Sequence, residues 1–291
     1  MNYKAFAISA QGESHIRRGK ECQDASFSVC NDDVSIIVVC DGHGGDDYVR
    51  SAFGSVFACE TAVENIRFFL ENADKEKLKN NTDTVLANLE ASIISGWNER
   101  LSEHYAANPF TDDELALLSD RALNRYLNQN RIESAYGTTL LAAAVTKDFW
   151  FAIQIGDGKC VAADADGNFE QPVPWDDKCF LNTTTSMCDS EAIINFRHYY
   201  SEKLPAAVFL CSDGIDDSFS GDEKLNGFYK TVLQSFSTSD IDDAVSELRE
   251  YLPRLSAKGS GDDVSVAVLF DMDGIAGISG NNNGSVEPKK K

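Results

Sequence analysis

The residues best suited to chemistry in this sequence are Asp41 and His43, which directly follow an apolar run. Residues 36–39 read Ile-Ile-Val-Val, a composition typical of a buried β-strand, and Cys-Asp-Gly-His-Gly-Gly comes next. We therefore expect Asp41 and His43 at a strand end. There a carboxylate can bind a hard divalent cation, the Gly42 carbonyl can approach it because no Cβ intervenes, and His43 can exchange a proton.

Taken alone this stretch is weak evidence, because Asp-Gly is also a common turn dipeptide. The design recurs later, where an apolar run at 206–211 leads into Asp213-Gly214. Asp157 and Asp262 stand in tight glycine-containing turns. Carboxylates that converge without a cation repel one another, and hard oxygen ligands are those that magnesium and manganese prefer. The set predicts a metal site.

Short strands and amphipathic helices are predicted to position these carboxylates. Apolar residues at helical spacing predict helices over 49–70, 86–101 and 241–255, and a shorter helix after Pro109 with Thr111 as its N-cap. Strands are expected at 4–11, 36–39, 206–211 and 264–270, the last with Val264, Val266 and Val268 on one face. Three further strands between 138 and 163 are expected to form an antiparallel meander, followed by a hairpin turn at 164–168.

Three segments are predicted to lack regular structure. Residues 12–23 form a polar, basic connection in which Arg17 and Arg18 either bind phosphate or only make a loop soluble. Residues 170–205 are either a flap over the site or a plain surface excursion. Residues 277–291 are predicted to be a disordered polar tail after a single domain that spans 1–276.

The amino-acid composition argues against several classes of function. The chain has 291 residues, 43% of them hydrophobic, with 47 acidic and 26 basic residues and a formal charge of -21. This charge argues against nucleic-acid or anionic-membrane partners, which require basic surface. The eight cysteines show no zinc-type spacing, and no stretch approaches the roughly 20 apolar residues of a membrane span. We expect a cytoplasmic protein with reduced thiols that acts as a monomer.

The order of the motifs resembles the metal-dependent protein phosphatases, or type 2C serine/threonine phosphatases, over about residues 5 to 270. A histidine ahead of the first motif is similar to a bacterial branch of that family. The matching motifs are Glu21-Cys22-Gln23-Asp24-Ala25, Val39-Cys40-Asp41-Gly42-His43-Gly44-Gly45, Tyr136-Gly137-Thr138-Thr139, Ile155-Gly156-Asp157-Gly158, Cys211-Ser212-Asp213-Gly214-Ile215 and Gly261-Asp262-Asp263-Val264-Ser265.

The resemblance implies an α+β fold, a four-layer sandwich of two central antiparallel β-sheets flanked by α-helices, with a cleft that holds two Mn²⁺ or Mg²⁺ ions. Asp41 would bridge both ions, the Gly42 carbonyl would bind one, and Asp213 with Asp262 would bind the other. Asp24 would act through water.

Asp157 matches the aspartate that holds a weaker third ion in the family. Two positions depart from the pattern. Gly19 stands where the family usually has its phosphate-binding arginine, so Arg18 or Arg17 would replace it after a short shift, and Gly158 stands where a serine is usual.

The implied activity is hydrolysis of phosphoserine and phosphothreonine in proteins by a water that the two metals activate, with His43 as general acid. The alternative is a catalytically silent module that keeps the fold and binds phosphoproteins. Serine-hydrolase and phosphate-loop readings fail, because neither Gly-x-Ser-x-Gly nor a Gly-Lys-Ser/Thr loop is present.

Overall fold

Ten strands form the centre of the computed structural model, which describes residues 2–180 and 183–278. In chain order they are β1 Tyr3–Ala10, β2 Ala25–Cys30, β3 Val34–Cys40, β4 Leu140–Thr146, β5 Trp150–Ile155, β6 Lys159–Ala163, β7 Phe169–Glu170, β8 Arg197–Ser201, β9 Ala207–Cys211 and β10 Val264–Asp271. They make two antiparallel sheets of five strands each. The first sheet has the order β1-β10-β9-β6-β7 and the second β2-β3-β4-β5-β8.

Helices cover the outer faces of both sheets. They are α1 Glu13–Arg18, α2 Ser51–Asn72, α3 Lys75–Asn80, α4 Thr82–Ala107, α5 Asp112–Leu117, α6 Asp120–Leu123, α7 Ala192–Asn195, α8 Asp213–Asp216, α9 Asp222–Thr238, α10 Ile241–Lys258 and α11 Met272–Ile275. A π-helical turn spans Asn124–Asn128, and 3₁₀ turns span Ile132–Tyr136 and Ala276–Ile278. Among the helices of the described ranges, none has the length and apolar character needed to cross a membrane.

Three buried clusters hold the layers together. Between the sheets, Ile37 and Val39 of β3 pack with Leu210 of β9 and Leu269 of β10. A second cluster joins the outer face of the second sheet to α2 and α4, and a third joins the first sheet to α9 and α10. The predicted four-layer α+β sandwich is therefore confirmed.

Strand β3 shows why its sequence reads as an unbroken apolar run. Alternate side chains point to opposite faces of a strand, so Ile36 and Val38 face α2 while Ile37 and Val39 face the other sheet. Both faces are covered, and all four side chains are fully buried. Each contributes on the order of 2 kcal/mol through removal of apolar surface from water.

Several predicted elements are confirmed. The expected helices correspond to α2, α4, α5 and α10, and Val264, Val266 and Val268 of β10 share the face that packs on α9 and α10. Thr111 caps α5 in a capping box. Its Oγ1 accepts from the Glu114 N–H at 3.2 Å, and the Glu114 side chain accepts from the Thr111 N–H at 2.7 Å.

The hairpin turn at 164–168 is also confirmed. It joins β6 to β7, with the Asp164 N–H donating to the Asn168 carbonyl at 3.1 Å. The predicted meander is confirmed for β4 and β5, which pair antiparallel, but it is wrong for the third strand, because β6 joins the other sheet and pairs with β9 and β7. The turn around Gly156 is a crossover between sheets rather than a hairpin. A continuous apolar run shows that a strand has two buried faces, but not which sheet it joins.

Other segments hold more regular structure than expected. The connection 12–23 contains α1, which Gly19 ends in the left-handed conformation at φ 67°. Segment 170–205 contains α7 and also β8, which pairs with β5 at the edge of the second sheet. Helix α9 and strand β2 were not predicted. The signal for α9 is present, since buried Leu225, Phe228 and Val232 recur at helical spacing.

Ile278 is buried against the cluster that includes α9 and β10, so the packed structure continues to this residue. The predicted disordered tail beyond it falls on residues 279–291, outside the described ranges.

Candidate active site

The loop after β3 is joined to residues 137–139 by a ladder of hydrogen bonds. The Asp41 carbonyl accepts from the Thr139 N–H at 2.9 Å and from Thr138 Oγ1 at 3.0 Å. The Asp41 N–H donates to Thr139 Oγ1 at 3.0 Å, and the His43 N–H donates to the Gly137 carbonyl at 3.1 Å. These bonds hold Asp41 and His43 at the strand end, as predicted, against a second motif distant in sequence.

Gly42 lies between these residues and packs directly against the backbone of Gln23. A Cβ at position 42 would overlap the Gln23 carbonyl, so only glycine allows this approach. Ser55 Oγ donates to the same carbonyl at 2.6 Å. The contact places the loop that carries Asp24 beside the loop that carries Asp41.

Asp41 meets Asp213, the first residue of α8, where strands from the two sheets end. Their carboxyl groups are close neighbours, since each acts on the pKa of the other. Burial, and then the charges of Asp24 and Asp213, hold the pKa of Asp41 well above its usual range. Burial, and then the charge of Asp157, raise the pKa of Asp213. Each group therefore favours neutralisation by a proton or by a cation.

Asp24 is a third member of this acidic cluster. Burial, and then the charge of Asp263, raise its pKa, although the hydroxyls of Ser265 and Ser212 partly oppose the shift. Its Oδ2 atom is buried and has no hydrogen-bond partner within residues 2–180 and 183–278. An orphaned carboxylate oxygen suits a water or ion as its partner.

The two neighbouring carboxylates Asp262 and Asp263 differ in their surroundings. The Asp262 side chain is 57% exposed, whereas Asp263 is buried and accepts from the N–H groups of Gly12 and Gln23, both at 2.6 Å. His15 Nδ1 lies 2.9 Å from Asp263 Oδ2. Burial alone would raise the pKa of Asp263, but these donors lower it. Asp263 is thus a tether between loops. Asp262 is the more exposed carboxylate; its Oδ1 accepts from the Asp263 N–H at 2.9 Å and lies 3.6 Å from His15 Nε2.

Asp157, in the crossover after β5, is the outermost predicted ligand. Burial raises its pKa, while a hydrogen bond from Thr184 opposes that shift. Its charge acts on Asp213, which places it on the α8 side of the cluster. Thr184 belongs to segment 170–205, so this segment borders the site.

The donor set of this cluster fits hard divalent cations, since it consists of carboxylate oxygens and one glycine carbonyl. None of the ion pairs formed by Lys or Arg in the described part of the chain involves Asp24, Asp41 or Asp213. The described side chains do not themselves form a coordination shell, because no three His, Cys, Asp or Glu residues among them are close enough together to hold an ion. The fit rests on donor chemistry, burial and the orphaned Asp24 oxygen.

The predicted phosphate-binding arginines lie at the exposed end of α1. Arg17 is paired with Glu13 at 2.9 Å, and its side chain is 73% exposed. Arg18 is exposed as well. Lys20 points toward the loop that follows β3, where its Nζ donates to the Gly44 carbonyl at 2.9 Å and to Asp46 at 2.8 Å. The structure therefore brings a lysine, rather than either arginine, into contact with this loop.

His43 is held on several sides. Its ring packs edge-on against Tyr48 at a centroid distance of 4.7 Å, and its Nε2 lies 2.8 Å from Ser186 Oγ. A Cβ at Gly137 would lie 2.5 Å from His43 Cδ2, so glycine is needed there too. Burial lowers the pKa of His43 to about 4, which makes the neutral imidazole the major form at pH 7.

The family model for Protein phosphatase 2C matches residues 11–253. The chain belongs to the protein phosphatase 2C family. The match spans the motif loops that carry Asp24, Asp41, Asp157 and Asp213, and it ends before Asp262. A comparison with curated proteins gave no match.

Solved structures of this family share the fold, bacterial members among them. Stp1 from Staphylococcus aureus, a serine/threonine phosphatase, has a TM-score of 0.58 and 17% identity over 93% of this chain and 95% of its own. PppA of Pseudomonas aeruginosa, a regulatory component of T6SS, has a TM-score of 0.57 and 18% identity over 93% of this chain and 98% of its own. The catalytic domain of the phosphatase PstP, solved with two manganese ions, has a TM-score of 0.54 and 18% identity over 92% of this chain and 97% of its own.

Sequence reasoning missed two contributors to the site. Asp263 was recognised only as part of a motif, and its function as a tether that accepts from the Gly12 and Gln23 N–H groups was not foreseen. Ser186 belongs to a polar run at 182–186 whose composition offered a signal, although its contact with His43 depends on the path of the whole segment.

Proposed function

We propose that this chain is a metal-dependent serine/threonine protein phosphatase that hydrolyses phosphoserine and phosphothreonine in protein substrates. The observation that carries the proposal is the half-buried Asp41–Asp213 pair beside buried Asp24, a concentration of carboxyl groups in a member of the protein phosphatase 2C family. The manganese ions in the PstP structure support the same metal requirement. The net charge of -21 supports a phosphoprotein rather than a nucleic-acid substrate.

Asp41 would hold both Mn²⁺ or Mg²⁺ ions, with the Gly42 carbonyl on one and Asp213 and Asp262 on the other. Asp24 would contribute through water, in keeping with its orphaned Oδ2 atom. When bound, such a pair lowers the pKa of water, aligns it for attack on phosphorus and offsets the phosphate charge.

A third ion would lie at Asp157, on the α8 side of the cluster. Arg18 or Arg17 would contact the phosphoryl oxygens after a short shift, because Gly19 occupies the position where the family usually has an arginine. His43 would protonate the departing serine or threonine oxygen. A phosphate dianion nearby favours the protonated imidazole, because an opposite charge raises the pKa of a histidine.

The decisive experiment measures phosphate release from a phosphothreonine peptide by the purified chain, stripped of metal and titrated with Mn²⁺ or Mg²⁺. We expect no turnover without metal, turnover that saturates with metal, and a loss of at least about 100-fold in Asp213→Asn. Asp222→Asn is the matched control, because Asp222 follows closely in the chain but its side chain is 89% exposed. It should retain wild-type activity.

Two results would contradict the proposal. Activity of Asp213→Asn near wild type at saturating Mn²⁺ would refute the metal assignment. Metal-independent binding of the phosphopeptide, without phosphate release by a folded protein, would instead identify the alternative, a catalytically silent module that binds phosphoproteins.

A further inference from the structure

Ser186 is the residue through which segment 170–205 contacts His43. Its side chain is 2% exposed, and its Oγ lies 2.8 Å from His43 Nε2. The segment is therefore more than a surface excursion at this point, since it supplies the one hydrogen bond that the His43 ring makes within the described residues.

Ser186 is itself held in place by the backbone around it. Its N–H donates to Asp189 Oδ2 at 2.9 Å, and the next N–H, of Met187, donates to the Thr138 carbonyl at 2.9 Å. Ser186 Oγ also donates to the Thr138 carbonyl, at 3.0 Å. Thr138 lies in the ladder that holds the Asp41 loop, so His43 and Ser186 are fixed to the same backbone.

Counting protons assigns the direction of the contact. A serine hydroxyl has one hydrogen to donate and lone pairs to accept. Ser186 Oγ gives its hydrogen to Thr138 and accepts from the Cys188 N–H at 3.3 Å, while Cys188 Sγ, a weak partner in either direction, lies 3.2 Å away. The lone pair that remains accepts from His43, so the proton of the neutral imidazole is on Nε2.

The other ring nitrogen, Nδ1, then carries the free lone pair. It has no hydrogen-bond partner in residues 2–180 and 183–278, and it is not among their buried, unpaired polar atoms. With Nε2 bound to a buried serine, Nδ1 is the nitrogen accessible to a substrate.

We propose that Ser186 is a positioning residue that selects the Nε2–H form of His43 and turns Nδ1 toward the cleft. The consequence for catalysis rests on the proposed phosphatase function, in which Nδ1 would carry the proton for the leaving group. The consequence for the imidazole itself does not depend on catalysis.

The first test is NMR of the metal-free full-length chain with ¹⁵N-labelled histidine at pH 8. The sequence has four histidines, and the spectrum of His43→Gln assigns the signal of His43. Wild type should show Nε2 protonated and Nδ1 unprotonated. Ser186→Ala should show mixed tautomers, and Ser190→Ala, an exposed serine on the same segment, should match wild type.

The second test compares kinetics on a phosphothreonine peptide and on an aryl phosphate whose leaving group needs no proton. Ser186→Ala should lower kcat on the peptide about 10-fold with little change in KM, and should affect the aryl substrate less. Ser186→Thr, which keeps the hydroxyl, should restore most of the peptide activity.

A wild-type spectrum with Nδ1 protonated would overturn the proposal, and it decides the matter even where Ser186→Ala does not fold. Unchanged tautomer and kinetics in a folded Ser186→Ala would overturn it equally. If neither the wild-type protein nor any variant releases phosphate from either substrate, the proposed function fails. The NMR result still decides the relationship between Ser186 and His43.

Discussion

Asp41 and Asp213 are neighbouring, half-buried acids at the point where a strand of each sheet ends. Two ionised carboxylates this close repel one another unless a proton or a cation lies between them. A cation that binds there must therefore stabilise the folded chain, because it binds the folded state and not the unfolded one.

Mn²⁺ is predicted to raise the melting temperature of the wild-type chain by about 5–10 °C at 100 times its Kd, from the linkage energy of about 2.7 kcal/mol. Asp213→Asn should lose most of this rise, since it removes a carboxylate from the pair. Differential scanning calorimetry of metal-stripped protein with and without Mn²⁺ measures both. Asp222→Asn should behave as wild type, and an equal rise in Asp213→Asn would count against the site.

Arg18→Ala is predicted to raise KM for a phosphopeptide about 10-fold with kcat nearly unchanged, because a lost phosphate contact weakens substrate binding. Arg17→Ala should raise KM less, since Arg17 is already paired with Glu13, and a larger effect of Arg17→Ala would assign the phosphate contact to Arg17 instead. Steady-state kinetics of the two variants and of Lys20→Ala decide the question. An effect confined to Lys20→Ala would transfer the phosphate contact to the lysine that touches Gly44.

His198 is predicted to make stability depend on pH. A hydrogen bond to buried Glu90, with a second contact to Asp83, raises the pKa of His198. The protonated histidine thus stabilises the fold fully below about pH 6.5, its usual pKa, and this contribution is lost as pH rises through the higher folded-state pKa.

Urea unfolding at pH 6 and at pH 9 tests this. The free energy of unfolding should be higher for wild type than for His198→Gln, and this difference should be larger at pH 6 than at pH 9. A difference independent of pH would mean that His198 contributes through packing alone.

Gly54→Ala is predicted to destabilise the fold by about 1–3 kcal/mol through overpacking. A Cβ there would overlap the Tyr136 carbonyl, and the Gly54 carbonyl accepts from Trp97 Nε1 at 2.9 Å, so α2 has little room to move. This cost exceeds the gain of about 1 kcal/mol that alanine brings to a helix.

Gly96→Ala in α4 is the matched control, since its Cβ would meet a methyl group of Thr61 rather than backbone. Thermal unfolding should show a clearly smaller loss for Gly96→Ala. Equal losses for the two variants would show that the backbone contact is not the cause.

Local sequence patterns were enough to predict the elements that depend on one apolar helix face or on one N-cap residue. The recurrence of apolar residues predicted α2, α4 and α10, and Thr111 was predicted as the N-cap of α5. The placement of Asp41 after an apolar run predicted a carboxylate at a strand end, which the hydrogen bonds to Thr138 and Thr139 confirm. Each inference uses residues within a few positions of one another.

This kind of reasoning could not predict contacts between residues that are distant in the sequence. Strand β6 has buried faces that suit either sheet, and only packing against β9 places it in the first one. Asp262 and Asp263 are chemically identical in the sequence. Their difference arises because the N–H groups of Gly12 and Gln23, from the other end of the chain, bind one of them.

The sequence by itself determined the chemistry available to this protein: carboxylates at strand ends, a histidine beside one of them, and the motifs of a phosphatase family. The tertiary structure decided which groups meet, which become buried, and how His43 is oriented by Ser186. The reason is physical. Residue type sets what a side chain can donate, accept or bind, whereas its pKa and its partners depend on neighbours that the folded chain brings from elsewhere.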